Sequence, residues 1–170
     1  MMKKRTALRA GILLIFIGIC AVYGLFSWKQ AEAKSLQAHK SGPVYVTDLG
    51  EVSSFSIVYQ GNSRTFSLDH GLWYDSQSQE EAGDQASVQK LADLLSKLPA
   101  EEMLEQPEDT AAYGLSDPDL SFEITTDQST ATLLIGDDVP DTENCYACLS
   151  GGTLVYTIDS QVVKMAEEVG

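Results

Sequence analysis

Histidine, cysteine and proline are scarce in this chain of 170 residues, and positive charge is nearly missing after residue 40. His39 and His70 are the two side chains that titrate near neutrality, and no serine sits in a G-x-S-x-G frame, so a hydrolytic triad has little to build on. Neither G-x-x-x-x-G-K-[ST] nor G-x-G-x-x-G occurs, which leaves no nucleotide-binding fingerprint. The three cysteines include one C-x-x-C, with no second to complete four metal ligands. Five prolines and ordinary aromatic content exclude a collagen-like or low-complexity chain, and 44% hydrophobic residues suffice for one modest core.

The net charge of -14 hides a division. Residues 1–40 carry seven Lys/Arg against the single acid Glu32, a balance of +6. Residues 41–170 carry only Arg64, Lys90, Lys97 and Lys164 against 24 acids, a balance of -20. Such a segment repels phosphate, so nucleic acid is not expected as a partner. It reads as a self-repelling, soluble acidic surface; the alternative is attraction for cations or a basic partner.

From Ala10 to Trp28 run nineteen residues without one charge, close to the roughly 20 that cross a bilayer as a helix. Lys3, Lys4, Arg5 and Arg9 precede the run, and Tyr23 and Trp28 fall toward its far end, where aromatic rings favour the interface. The pattern predicts a basic cytoplasmic N-terminus (1–9), a transmembrane helix (10–28) that places the chain in the membrane bilayer, and an extracytoplasmic remainder. Ala31-Glu32-Ala33 keeps a second reading open, a secretory signal cleaved near Ala33 and a secreted product. Lipidation at Cys20 fits less well, because Ile19 stands where a small residue is needed.

Residues 29–43 are polar, close on Gly42-Pro43 and read as a stalk. Over the domain expected at 44–170, Phe55, Ile57 and Tyr59 alternate up to a turn at Gln60-Gly61-Asn62, and Thr65, Phe66 and Leu68 return to a second turn at His70-Gly71. Asp84 is placed to cap a helix whose Val88, Leu91, Leu94, Leu95 and Leu98 recur at helical spacing until Pro99. A second hairpin, Leu120 to Ile135, overlays the first at an offset of 67, with Phe55 on Phe122 and Ile57 on Ile124. A last strand pair is joined at Ser150-Gly151-Gly152, and a short helix uses Val162, Val163 and Ala166. These patterns predict an α+β fold with a mostly antiparallel sheet, built from two β-hairpin-plus-helix units and preceded by the transmembrane helix.

Tyr113-Gly114-Leu115 through Pro118, Leu134-Ile135-Gly136, Tyr146-Ala147 and Val155-Tyr156-x-Ile158-Asp159 resemble the DUF4340 family, as do Trp73-Tyr74 and the Val88 to Leu98 helix. The likeness spans about residues 50–168. It implies an extracytoplasmic, membrane-anchored protein of the sort encoded beside ABC transport systems of the gliding-motility kind, and it brings no catalytic residues.

Two clusters carry candidate chemistry. Cys145-Tyr146-Ala147-Cys148 is a C-x-x-C that reads as inert thiols, as a disulfide formed in an oxidising compartment, or as a redox pair; it lies in a predicted strand, without the helix N-terminus that lowers a thiol pKa. Asp137, Asp138, Asp141 and Glu143 supply hard oxygen ligands around Pro140, a solvated loop or a weak cation site without EF-hand spacing. Trp73 and Tyr74 read as core aromatics, with a carbohydrate or peptide platform as the alternative. No catalytic group and no cofactor are assigned. The expected function is a non-catalytic accessory or interaction domain in an envelope or transporter assembly, with a protein partner; the alternative is an extracytoplasmic module binding a cation, a wall polymer or a small solute.

Overall fold

A computed structural model of the chain describes residues 42–104 and 109–170. The expectations for the basic terminus, the membrane helix at 10–28 and most of the stalk lie outside these residues. Among the described residues no helix is long and apolar enough to cross a membrane.

The elements run β1 (Val52–Tyr59), β2 (Asn62–Asp69), β3 (Leu72–Asp75), β4 (Glu80–Glu81), α1 (Gln85–Ser96), β5 (Glu102–Leu104), a short 3-10 turn (Thr110–Tyr113), β6 (Leu120–Thr126), β7 (Thr130–Asp138), β8 (Asn144–Leu149), β9 (Val155–Asp159) and α2 (Gln161–Val169). Among the described residues all nine strands join one sheet in the order β4-β3-β2-β1-β6-β7-β8-β9-β5, with every neighbouring pair antiparallel. The expected α+β arrangement of two hairpin-plus-helix units is therefore corrected to a single large sheet with two short helices. The hairpins do not stand apart because β1 pairs with β6, in the register Phe55↔Ile124, Ser56↔Glu123 and Ile57↔Phe122. This register accounts for the offset of 67: equivalent strands meet antiparallel about a local two-fold through the Ser56↔Glu123 pair. A helix does follow each hairpin in sequence, but only after two further strands. The chain adds β3 and β4 after the first and β8 and β9 after the second.

Two-residue turns set the hairpin registers. Gln60 and Gly61 have φ of 48° and 79°, and His70 and Gly71 have 50° and 84°, both residues positive as the right-handed strand twist requires. Alternation then directs Phe55, Ile57, Phe66, Trp73, Phe122, Ile124 and Leu133 to one face, where Val88, Leu91 and Leu95 of α1 and Val162 and Ala166 of α2 cover them. Phe55 stands 5.4 Å from Phe66 and 5.4 Å from Trp73, ring centre to ring centre. Each fully buried side chain of this kind contributes roughly 1.5–3 kcal/mol relative to exposure.

Helix α1 starts where Asp84 Oδ1 accepts the amides of Ala86 and Ser87 at 3.1 and 3.0 Å. It ends against buried Thr47, whose hydroxyl donates to the Leu95 carbonyl at 2.8 Å and accepts the Leu98 amide at 2.9 Å. The second sheet face has a smaller apolar cluster, Leu115, Cys148 and Val155 with Leu104, Tyr113, Leu134 and Tyr146, beneath the 3-10 turn. Over β1, β2, β6 and β7 that face bears hydroxyls that bond across strands, Ser56 to Thr65 at 2.8 Å and Thr125 to Thr130 at 3.3 Å.

Candidate functional site

The acidic loop does not gather into a metal centre. Among the described residues no group of three or more His, Cys, Asp or Glu side chains is placed to hold an ion. Asp137 and Asp138 end β7, Asp141 adopts φ of 60° in the turn, and Glu143 precedes β8, all four exposed. Thr142 holds this turn in shape, donating to the Val139 carbonyl at 3.0 Å and accepting the Asn144 amide at 3.1 Å. Asp137 packs against the 3-10 turn, where a Cβ on Gly114 would lie 2.5 Å from its Oδ1.

Cys145 and Cys148 are free and buried. Three apart in β8, they face opposite ways, Cys145 into the large core and Cys148 into the small one, so no disulfide joins them here. Burial, aided by the charges of Asp138 and Asp159, pushes the Cys145 thiol up to about 11, and burial raises Cys148 as well. Thiols held protonated in this way are poor nucleophiles. His70 occupies the turn between β2 and β3 with its side chain 91% exposed, its Nδ1 2.7 Å from Asp69 Oδ1. His39 lies outside the described residues. Trp73 is a core residue whose indole N–H donates to Gln89 Oε1 at 2.8 Å, while Tyr74 faces the other side of the sheet.

A cavity of about 740 Å³ opens where the β1–β2 turn end meets α2. Ile57, Leu120 and Ala166 make its apolar floor, and Tyr59, Gln77 and Glu167 stand at its rim. Its cation is Arg64, whose Nε donates to Asp75 Oδ2 at 2.9 Å and whose Nη1 donates to the backbone oxygens of Val169 and Gly170 at 2.7 and 2.9 Å. The guanidinium also stands 5.0 Å from the centre of the Phe66 ring. A cation at a helix C-terminus meets the negative end of the helix dipole, so Arg64 ties α2 to the sheet. Asp75 is 12% exposed at its side chain, and Arg64 first, then the Gln77 amide, hold its carboxyl below the ordinary value. This cavity escaped the sequence reading, yet a signal was there. Arg64 is the sole Lys or Arg between residues 41 and 89, and it falls in phase with Phe66 and Leu68 on the core-facing side of its strand.

The family motifs converge on the small cluster. A Cβ on Gly136 would lie 2.0 Å from the Tyr113 carbonyl oxygen and 3.0 Å from the Leu115 side chain, so only glycine lets the 3-10 turn lie on β7. The rings of Tyr113 and Tyr146 meet edge to face at 4.9 Å. Tyr113-Gly114-Leu115, Gly136, Tyr146 and Val155 thus form one packing unit, with no reactive group among them. Comparison with curated proteins and with solved structures gives no match. The family described as "domain of unknown function (DUF4340)" matches residues 73–168, more than half of the chain, and the protein belongs to that family.

Proposed function

We propose that this protein is a non-catalytic accessory domain, tethered to the membrane through the apolar run at residues 10–28, which holds a protein partner in an extracytoplasmic assembly of the envelope or ABC-transporter type. The observation that carries this reading is the character of the cavity: apolar floor, strand backbone at one wall, and a cation whose bonds go to Asp75 and the end of α2. Such a wall recognises shape and main chain. The uncharged run of residues 10–28 after four cations supports attachment with the acidic domain outside. The test is mild cross-linking in native membranes, followed by detergent purification of the tagged protein and mass spectrometry. Reproducible recovery of transporter or envelope subunits, lost when residues 44–170 are exchanged for an unrelated domain, is the expected result; recovery of nothing specific overturns the reading. The cavity's size also falls within the roughly 300–1,000 Å³ of small-molecule pockets, which favours a solute-binding alternative that a thermal-shift screen addresses.

A further inference from the structure

One wall of the cavity is an open strand edge. Strand β2 has eight residues, but β3 pairs only with Phe66 to Asp69. The two-residue turn makes Tyr59↔Asn62 a hydrogen-bonded pair, and bonded pairs alternate from there, so Ser63 and Thr65 turn their N–H and C=O groups away from β1. Beyond the end of β3 these outward groups meet isolated contacts. The Thr65 carbonyl accepts the Ser76 amide at 2.9 Å, and the Ser63 carbonyl accepts Nε2 of Gln77 at 2.6 Å. The Ser63 N–H has no partner among the described residues.

The contrast with β3 is informative. There the Trp73 N–H donates to Gln85 Oε1 at 2.8 Å, while its carbonyl accepts Gln85 Nε2 at 2.7 Å and the Ala82 amide at 2.8 Å. That edge is closed on both groups by one side-chain amide. At Ser63 a side-chain amide occupies the acceptor alone, on an exposed segment that a competing backbone amide can displace. The outermost strands of the sheet guard themselves differently: β4 is two glutamates long, and β5 has three residues beginning with Glu102.

Resting on the interaction reading above, we propose that the β2 edge at residues 62–65 takes up an extended, basic segment of the partner polypeptide. Its backbone pairs with Ser63 in place of Gln77, and one apolar side chain enters the cavity over Ile57, Leu120 and Ala166. Main-chain bonds supply affinity in such strand addition, and the adjoining pocket supplies selectivity. The charge requirement follows from the balance of -20 over residues 41–170 and from Glu167 at the rim, the one side-chain charge of the lining left over once Arg64 is paired with Asp75; they repel an acidic segment and attract Lys or Arg beside the apolar anchor.

The test uses the full chain in detergent micelles and two fluorescein-labelled heptapeptides, one alternating Lys and Val and one alternating Glu and Val, read by fluorescence anisotropy. The expected result is saturable binding of the Lys peptide and none of the Glu peptide. Gln77→Ala removes the bond that the ligand displaces and is expected to tighten binding about fivefold. Ser63→Pro, which removes the outward N–H, is expected to abolish binding; where that variant does not fold, Gln77→Ala carries the test. Lack of Lys-peptide binding, equal binding of both peptides, or identical affinity in Gln77→Ala overturns the proposal. Recovery of membrane partners together with unaltered peptide affinity in Gln77→Ala overturns the edge and leaves the interaction reading standing. Peptide binding that follows the expected pattern while membranes yield no partner overturns that reading and leaves the edge as a peptide site.

Discussion

Replacing Gly136 by alanine adds a single methyl group, and the structure says what it meets. The new Cβ would lie 2.0 Å from the Tyr113 carbonyl oxygen and 3.0 Å from Leu115, against an ordinary contact of 3.4–4 Å. A backbone carbonyl cannot swing aside as a side-chain tip can, so the 3-10 turn must lift from β7 by more than 1 Å, the gap between the two distances. Lifting it opens the cluster in which Leu115 is 2% and Val155 1% exposed. Returning most of one such side chain to water, with the accompanying strain, costs about 3 kcal/mol. In a domain of this size that lowers Tm by roughly 10 °C. Urea and thermal unfolding of the purified variant measure it. Gly83→Ala is the control, since nothing lies within 4 Å of its added Cβ. A Gly136→Ala protein within about 1 kcal/mol of the parent would refute the packing argument.

Further outcomes follow from the buried polar groups and the thiols. Thr47→Val leaves the Leu95 carbonyl and the Leu98 amide without their shared partner and is expected to cost about 2–3 kcal/mol in urea unfolding. Asp75→Asn weakens the bond to Arg64 and is expected to cost about 1–2 kcal/mol at neutral pH. Because the folded-state pKa of Asp75 lies below the ordinary 3.8, its ionised form stabilises the fold above that pH; the difference between parent and variant should close as pH falls through the folded pKa. Unfolding followed from pH 7 to pH 2 measures that closure, and a gap independent of pH would contradict it. Cys145 and Cys148 should resist a thiol reagent at pH 8 in the native state and react in urea; rapid native labelling of either would contradict the protonated, buried thiols.

Local features were plain in the sequence because local physics fixes them. Glycine after Gln60 and after His70 marks the two-residue turns, alternation marks the core side of Phe55 and Phe122, and Asp84 with Pro99 brackets α1. The fold class went wrong at a non-local step. Alternation tells which way Phe55 and Ile124 point, but nothing in either strand states that they lie side by side, and that pairing turns two expected units into one sheet. The offset of 67 held the clue, since equivalent strands related by a two-fold can pair antiparallel. At the candidate site, Arg64 in core-facing phase was visible as an anomaly, whereas the Gln77 amide on the Ser63 carbonyl has no sequence signature. For Asp137, Asp138, Asp141 and Glu143 composition left both a solvated loop and a weak cation site open, and the turn that Thr142 holds, which composition does not encode, leaves them ungrouped.

Docking of a partner at the β2 edge is open to photo-cross-linking from that edge in native membranes. Full-length protein carrying benzoylphenylalanine in place of Gln77 is irradiated beside protein carrying it at Asp127, in the β6–β7 turn at the other end of the sheet. A light-dependent adduct with one envelope protein is expected from position 77 and none from position 127. Equal adducts from both positions, or none from position 77, would contradict it.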